Sequence, residues 1–333
     1  MTGFFINLLT WINKLVGNYG WSIVLFTLLI RLVLLPLDIK SKKSMRAVSK
    51  IQPKLQAIQK KYANDKEKLN QKTMELYRKE HVSPTAGCLP MLISLPILWI
   101  MFSAMRTLGN EYTIQMILDM KNTGTLPNLQ SWLWIKNVFQ PDSFGATILP
   151  AVNSTLSMIQ PSGASAVLTA ENISAAVEYL KSSEYSALAA QLAPASAFTV
   201  TQLNLLLFRP TIMLPTSFAN LFQYGNGLFI LPILAGVSQF LMTQIMNGKQ
   251  TKEQKELQQA QQAGQSNPMN SPVMKWFFPI FSLWICATSN AAFSIYWMAA
   301  NVIQIVQQLA VNWYFDRKDA EEAAKAAQAA DDI

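Results

Sequence analysis

The sequence predicts an all-α membrane protein with five transmembrane helices, a cytoplasmic helical hairpin and an N-terminal amphipathic helix at the membrane interface. Three observations predict this class. Of the 333 residues, 51% are apolar and only 14% are charged, whereas ordinary soluble domains carry about 25% charged residues. Five segments approach the ~20 mostly apolar residues that a spanning helix needs. The basic residues concentrate in the loop that follows the first of these segments.

The residue types exclude several classes of function. The single histidine, His81, removes most histidine-dependent catalysis and every metal site with several histidine ligands. The two cysteines, Cys88 and Cys286, lie in apolar runs and are expected to pack as small hydrophobic side chains. No sequence motif for a nucleotide, a dinucleotide or a catalytic zinc ion is present. We therefore expect no enzyme activity, no cofactor and no bound metal.

The five predicted spans divide the chain into ten segments. Several spans contain proline or polar residues, which are tolerated in lipid where neighbouring helices or water satisfy them. The spans are therefore expected to form a bundle with a polar interior. The predicted spans are residues 20–37, 87–106, 227–247, 273–290 and 291–314. The other segments are an outer amphipathic helix at 1–19, a basic hairpin at 38–86, an outer connection with an inserted subdomain at 107–226, a cytoplasmic loop at 248–272 and a tail at 315–333.

The charges of the loops predict the orientation in the membrane. The hairpin segment holds 13 Lys or Arg residues and 5 Asp or Glu residues, whereas the outer connection holds only four basic residues against six acidic ones. Loops rich in Lys and Arg stay in the cytoplasm. We therefore expect a multi-pass protein of the plasma membrane, with its N-terminus outside and its C-terminus in the cytoplasm.

The N-terminal segment predicts an amphipathic helix that lies on the outer membrane surface. The segment is too short and too polar on one side to span the bilayer. Its predicted apolar face consists of Phe4, Phe5, Leu8, Trp11, Ile12 and Leu15.

The basic segment predicts a helical hairpin with a narrow apolar seam. Apolar residues recur at spacings of three or four from Met45 to Tyr62, and Asn64-Asp65 offers a turn. Pro53 is expected to kink the first arm, since it removes a backbone hydrogen bond. Two interpretations of the basic surface stay open: contact with anionic lipid, and docking of a ribosome or a targeting factor. The candidate residues are Lys42, Lys43, Arg46, Lys50, Lys54, Lys60 and Lys61.

Arg31 is the strongest candidate for a functional residue. It follows Trp21 by ten residues in an apolar helix, which places it ~15 Å below the level of that ring and near the middle of the bilayer. A guanidinium stays charged at physiological pH, and none of the other four spans contains Asp or Glu. One interpretation is that the side chain reaches the nearer interface or bonds to backbone carbonyls. The other is a water-filled pocket, open to the cytoplasm, whose positive charge attracts acidic or polar peptide.

Polar residues on the spans are candidate neighbours of Arg31. Thr27 lies one turn earlier on the same helix. Each residue alone is explained by a helix–helix hydrogen bond worth ~0.6 kcal/mol, but their number, together with an unpaired arginine, favours a hydrated groove. The candidates on other spans are Ser94, Gln239, Thr243, Asn301 and Gln304.

Several blocks of the sequence are similar to the YidC/Oxa/Alb family of membrane protein insertases, in its Gram-positive-like bacterial form. They touch all five predicted spans and the basic hairpin, in the order and spacing of that family. The blocks in the first half are Leu29–Leu37, Lys40–Met45, Ile51–Ile58, Met74–Glu80 and Ser83–Pro96. The blocks in the second half are Leu231–Gly236, Met274–Pro279, Tyr296-Trp297 and Ile303–Gln308.

The resemblance implies both a fold and a function. Five core helices would surround a hydrophilic groove open to the cytoplasm and to lipid, with Arg31 as the groove arginine and Trp297 at a further groove position. The implied function is to insert newly synthesised membrane proteins and help them fold, alone or with the Sec translocon. The implied partners are nascent membrane proteins, the lipid bilayer, the Sec translocon, the ribosome, and the signal recognition particle or its receptor, with no direct binding of nucleic acid.

Two other functions are alternatives. A small-solute transporter needs paired or titratable groups within the membrane, and a single arginine without acidic partners fits that requirement poorly. A structural assembly factor of membrane complexes would tolerate the loss of Arg31, provided that the helix bundle stays folded.

The sequence departs from the family's pattern in three places. The connection around Ser289 lacks the usual proline and glycine and is expected to be longer or more helical. Residues 147–225 form an insert to which the sequence assigns no role. The tail is rich in alanine and acidic residues, so we expect a cytoplasmic helix extension that frays into disorder. Its charge argues against binding a ribosome through the tail.

Overall fold

A computed structural model describes residues 2–81, 89–150, 159–163, 165–202, 211–247 and 272–331. Most of these residues are helical, as expected for an all-α membrane protein. The chain divides into two compact units, which are described separately. Unit 1 comprises Met1–Leu28 and Met101–Ile305, and unit 2 comprises Leu29–Ile100 and Val306–Ile333.

The described residues form ten α-helices and one pair of strands. The first four helices are α1 (Thr2–Val16), α2 (Tyr19–Lys61), α3 (Lys66–Lys79) and α4 (Leu89–Thr123). The inserted region contains α5 (Ala170–Leu180), α6 (Ser183–Leu192), β1 (Phe198–Gln202), β2 (Thr211–Pro215) and α7 (Phe218–Tyr224). The last three helices are α8 (Ile230–Asn247), α9 (Pro272–Thr288) and α10 (Ala291–Asp331).

Helix α2 carries the one segment among the described residues, Tyr19–Val48, that is long and apolar enough to cross a membrane. Two other helices contain shorter apolar stretches, Ile230–Ile245 and Trp276–Thr288. Large apolar side chains such as Leu25 and Leu32 are exposed on α2. Such exposure is typical of a helix that faces lipid.

Helix α1 divides its apolar residues between two sides. Ile12 is buried, and the rings of Phe5 and Phe26 lie 6.1 Å apart within unit 1. Phe4 and Trp11 are exposed instead. The apolar face that the sequence predicts is therefore shared between the protein interior and an exposed stripe.

Helices α2 and α3 form the two arms of the basic hairpin, and residues 62–65 join them. The Asp65 carboxylate accepts a 3.0 Å hydrogen bond from the backbone N–H of Lys68 and so caps α3. This hydrogen bond lowers the pKa of Asp65. The first arm runs as one helix through Pro53. Between residues 38 and 81, the buried apolar residues are Ile51, Leu55 and Leu76.

Helices α8 and α9 pack along each other in unit 1. At Gly236 an added Cβ atom would lie 3.3 Å from the carbonyl oxygen of Pro279, so a side chain here would press against the α9 backbone. The rings of Phe240 and Trp276 stack with their centroids 5.2 Å apart. A small residue and a stacked aromatic pair thus fix the contact between the two helices.

The connection from α9 to α10 consists of two residues, Ser289 and Asn290. Asn290 caps α10 by accepting a 3.0 Å hydrogen bond from the backbone N–H of Phe293. The buried Ser294 hydroxyl donates to the carbonyl oxygen of Cys286 at 3.0 Å. Side-chain hydrogen bonds therefore close this turn without proline or glycine.

The C-terminal end of α4 shares a hydrophobic core with α5 and α6. The Tyr179 hydroxyl donates to the carbonyl oxygen of Met120, and the Tyr185 hydroxyl donates to that of Pro150. Burial raises the pKa of both tyrosines. The fully buried residues of this core include Ile114, Ile117, Met120, Ala176, Leu180 and Tyr185.

The inserted region also contains a small antiparallel β-hairpin. Phe198 pairs with Pro215 at one end, and Gln202 pairs with Thr211 at the other. Helix α7 contacts β2. The sequence predicts no strand here, so this hairpin is an addition to an otherwise helical fold.

Asp142 fixes the start of α8. Its buried carboxylate accepts hydrogen bonds from the backbone N–H groups of Phe229 at 2.9 Å and Leu231 at 2.7 Å. The indole N–H of Trp134 donates to the same carboxylate at 3.3 Å. Phe229 holds a φ of 61°, a left-handed conformation that costs a non-glycine residue about 1–2 kcal/mol. The carboxylate therefore accepts hydrogen bonds from the free backbone N–H groups at the start of the helix and holds the strained residue Phe229 in place.

Asp142→Asn should lower the stability of the folded protein. The amide keeps the shape but loses the charge and turns an NH2 group toward backbone donors, at a cost of about 2 kcal/mol. We expect a lower Tm for the detergent-solubilised protein. Asp119→Asn is the matched control, because Asp119 is exposed and its carboxylate accepts a 2.8 Å hydrogen bond from the side-chain amide of Gln115. Equal Tm values for the two variants would contradict this role of Asp142.

Candidate functional site

Helices α8 and α10 share a buried polar contact in unit 1. Asn301 donates from Nδ2 to the Ser238 hydroxyl at 3.2 Å, and that hydroxyl donates to the carbonyl oxygen of Ala235 at 3.1 Å. Both side chains are buried. Asn301, a predicted groove residue, is thus engaged in a helix–helix hydrogen bond.

Two predicted groove hydroxyls bond to their own helices. Thr27 is buried and donates to the carbonyl oxygen of Ile23 at 2.6 Å. Thr243 donates to the carbonyl oxygen of Gln239 at 2.9 Å. Such bonds satisfy a threonine in an apolar helix without any other partner. The Gln239 and Gln304 side chains are half-buried.

Trp297 has an unsatisfied donor. Its Nε1 atom is buried and finds no acceptor among the described residues, and its ring lies 5.5 Å from that of Phe293. Gln244 Nε2 on α8 and Ser282 Oγ on α9 are buried without partners in the same sense. Each such group costs about 1–3 kcal/mol if it stays unbonded. Buried polar atoms of this kind mark positions where water or a polar guest completes the hydrogen bonds.

Arg31 lies in unit 2, where its side chain is half-buried on α2. Among the described residues, the guanidinium forms no ion pair. Asp38, seven residues further along α2, is the acidic group whose charge interacts with Arg31. The guanidinium is thus held near an apolar surface without a direct counter-ion.

Gln307 is a site residue that the sequence reasoning missed. Its Nε2 atom donates to the backbone carbonyl of Arg31 at 3.2 Å, and its Oε1 atom is buried without a donor among the described residues. Gln307 lies three residues after Gln304, so a common helix face was the available signal. The predicted groove residue Ser94 lies in α4, but its side chain is outside the described set.

Arg46 binds the acidic tail rather than facing solvent. Its guanidinium forms ion pairs with Asp316 at 2.5 Å and Asp319 at 3.0 Å. It also donates to the carbonyl oxygen of Asn312 at 3.2 Å and lies 5.2 Å from the centre of the Phe315 ring. One side chain thus combines ion pairing, a backbone hydrogen bond and a cation–π contact.

Two further basic residues of the hairpin are also paired within unit 2. Lys50 lies 2.9 Å from Asp319, and Lys54 lies 2.6 Å from Glu80 at the end of α3. The hydrogen bond from Lys50 lowers the pKa of Asp319. This ion pair therefore stabilises the folded state above the usual carboxyl range and loses that contribution as the pH falls through the lowered pKa.

Of the seven predicted basic residues, Arg46, Lys50 and Lys54 form ion pairs. Lys43 and Lys60 are exposed, Lys42 is half-buried, and Lys61 lies 5.6 Å from the Tyr62 ring. The helix extension expected for the tail is present, because α10 stays helical to Asp331, and the fraying of its end stays a prediction. We call the contacts of Arg46 and Lys50 with Asp316 and Asp319 the tail clasp.

The apolar helices and the polar groups buried among them define a mostly helical membrane protein. The chain belongs to the family described as 60Kd inner membrane protein, whose pattern matches residues 11–214 and 177–318. It is therefore a protein of the cell membrane.

Individual relatives are named membrane protein insertase YidC. The one from Fusobacterium nucleatum subsp. nucleatum is 43% identical over 153 residues, which cover 46% of this chain and 65% of the relative. The one from Bordetella petrii is 41% identical over 112 residues, covering 32% of this chain and 20% of the relative. The one from Polynucleobacter necessarius subsp. necessarius is 36% identical over 153 residues, which cover 45% of this chain and 24% of the relative. The similarity thus spans less than two thirds of each relative's length.

Arg46→Ala should release the tail from the hairpin. The variant loses the two ion pairs that Arg46 contributes to the tail clasp, and also the cation–π contact of Arg46 with Phe315. Together these contacts are worth about 1 kcal/mol in a partly exposed setting. We expect backbone amides of residues 316–331 to exchange hydrogen for deuterium about fivefold faster. Lys43→Ala, an exposed neighbour on the same helix, is the matched control. Unchanged exchange in Arg46→Ala would show that the clasp does not hold the tail.

Proposed function

We propose that this protein inserts newly made membrane proteins into the cell membrane and helps them fold. The observation that carries the proposal is Arg31, a half-buried cation with no ion pair among the described residues. An arginine within an apolar helix costs from ~3 to more than 10 kcal/mol, depending on its surroundings. A protein keeps such a group when the charge is used. The names of the relatives support the same function.

The guest in this proposal is the polar or acidic end of a segment that is about to enter the bilayer. Arg31 offers a planar set of donors that matches a carboxylate. The free Oε1 atom of Gln307, in the same unit as Arg31, can accept from a peptide N–H. These groups replace part of the guest's hydration and so lower the barrier to its transfer.

The driving force comes from the guest's own apolar segment. A stretch of ~20 apolar residues gains free energy when it moves from water into lipid. The protein then needs no covalent chemistry, cofactor or ATP. Its role is to shelter the polar end while the apolar segment partitions into the bilayer.

The proposed topology places the hairpin and the tail in the cytoplasm, with five spans and the N-terminus outside. Exposed basic residues such as Lys43 and Lys60 would meet the nascent chain, the ribosome or a targeting factor, or anionic lipid. Arg46 and Lys50 are engaged in the tail clasp. The Sec translocon and the signal recognition particle or its receptor are further proposed partners.

Arg31→Gln should impair insertion of a single-span substrate that carries a short acidic outer tail. A hydrogen bond to a charged group is worth about 1.5–3 kcal/mol, so we expect insertion into proteoliposomes to fall about tenfold. Arg31→Lys should retain part of the activity, because it keeps the charge without the planar donor set. The matched control is Arg106→Gln, at an exposed arginine of α4.

A photo-crosslinking residue at Gln304 tests contact with the guest in the same assay. Adducts with the nascent chain should form at intermediate chain lengths and weaken in the Arg31→Gln background. Normal insertion by Arg31→Gln, together with no adducts, would reject the proposal and favour a structural role in the assembly of membrane complexes.

Trp297→Phe separates function from stability. The variant keeps a large ring but removes a donor that has no acceptor among the described residues, so its Tm should be unchanged or higher. Insertion should fall several-fold if that donor contacts the guest. Trp134→Phe is the matched control: it loses a bond to Asp142, so its Tm should fall while insertion by the folded fraction is kept. A lower Tm with full insertion in Trp297→Phe would contradict this assignment.

A further inference from the structure

Helix α7, in the insert to which the sequence assigns no role, has an unpartnered aromatic face. Phe218 is 76% exposed and Phe222 is 52% exposed, although both are large apolar side chains. Their rings contact each other edge to face with centroids 5.0 Å apart. Leu221, whose side chain is turned away from Phe222 by about 100°, is buried. The helix therefore packs on the protein through one side and presents two phenylalanines on another.

Hydrogen bonds fix α7 to the segment that leads into α8. The Lys136 ammonium donates to the carbonyl oxygens of Phe222 at 3.0 Å and Gln223 at 2.6 Å, which are terminal carbonyls of α7. The next residue, Asn137, exchanges hydrogen bonds with Asn226. The same segment continues to Asp142, which caps α8. The end of α7 and the start of α8 thus belong to one network.

This network places α7 at the level where α8 begins. Helix α8 exposes an apolar stripe that includes Ile233, Val237 and Leu241, and in the proposed topology this stripe faces lipid. The rings of Phe144 and Phe229 stack 5.4 Å apart beside the start of α8. Aromatic residues gather at the membrane–water interface. The exposed face of α7 therefore continues the lipid-facing surface at its outer edge.

We propose that α7 is a lipid anchor, in which Phe218 and Phe222 insert into the boundary between headgroups and acyl chains of the outer leaflet. The inference rests on the proposed topology. The chain from Ser217 to Gly225 carries no charged residue, and Lys136, which contacts the end of α7, is engaged with carbonyl groups. Binding is thus apolar and does not depend on anionic lipid. The anchor holds the inserted subdomain on the membrane surface.

Spin labels on the full-length protein in phosphatidylcholine vesicles test the anchor. Single cysteines are introduced at Phe218 or Phe222 in a background that lacks Cys88 and Cys286. We expect both labels to be accessible to oxygen rather than to a water-soluble nickel complex, at a depth of about 5–10 Å below the phosphates. Ala219 and Gln223 are matched controls, exposed on the same helix and turned by about 100°. Their labels should collide with the nickel complex.

A label at Val237 separates failure of the anchor from failure of the topology. If Val237 reports lipid while Phe218 and Phe222 report water, the anchor is rejected and the topology stands. If Val237 also reports water, the topology itself is rejected. Labels at Phe218 and Phe222 that are immobile and shielded from both reagents would show a covering protein, which also overturns the anchor. Adding anionic phosphatidylglycerol to the vesicles should leave the insertion depth of both labels unchanged. A large increase in that depth would contradict an apolar mode of binding.

Discussion

The permanent charge of Arg31 is the constraint on which the account depends. A guanidinium cannot shed its charge to adapt to an apolar helix, and the described residues offer it no ion pair. Gln307 binds the backbone carbonyl of Arg31 rather than the guanidinium, and Asp38 acts on it only from a distance along the same helix. In the proposed function, water or a polar guest supplies the solvation that lipid would withhold.

The other polar residues of the helices fall into two groups with different consequences. The Asn301–Ser238 pair and the Thr27 hydroxyl bond within the protein and need nothing further. Trp297 and Gln307 each keep one buried polar atom without a partner among the described residues. The first group stabilises the fold, whereas the second leaves the fold less stable than it could be. A residue that costs stability and is retained is the better candidate for function.

The sequence patterns predicted local structure such as helices and turns, but they did not predict the contacts between residues far apart in the chain. Apolar spacing and the Asn64-Asp65 turn indicated the hairpin arms because helix periodicity and turn chemistry act over a few residues. The bond of Asp142 to Leu231 joins residues 89 apart, and that of Arg46 to Asp319 joins residues 273 apart, so neither has a local signal. The composition of the tail indicated a helix extension but not its ion pairs with the hairpin. Among the candidate site residues, Arg31 was identified by its position in the middle of an apolar helix. Gln307 had no sequence feature that distinguished it from a glutamine with a purely structural role.

Water access beside Arg31 is the most direct test of the central claim. A cysteine at Gln307, in a background without Cys88 and Cys286, is treated with a membrane-impermeant thiosulfonate from the cytoplasmic side. Only a thiolate in contact with water reacts. If water reaches Arg31, the cysteine at position 307 should be labelled rapidly and a stalled substrate should protect it. A cysteine at the neighbouring exposed apolar residue Val306 should be labelled little. Equally slow labelling at both positions would place Gln307 in a dry environment and contradict water access beside Arg31.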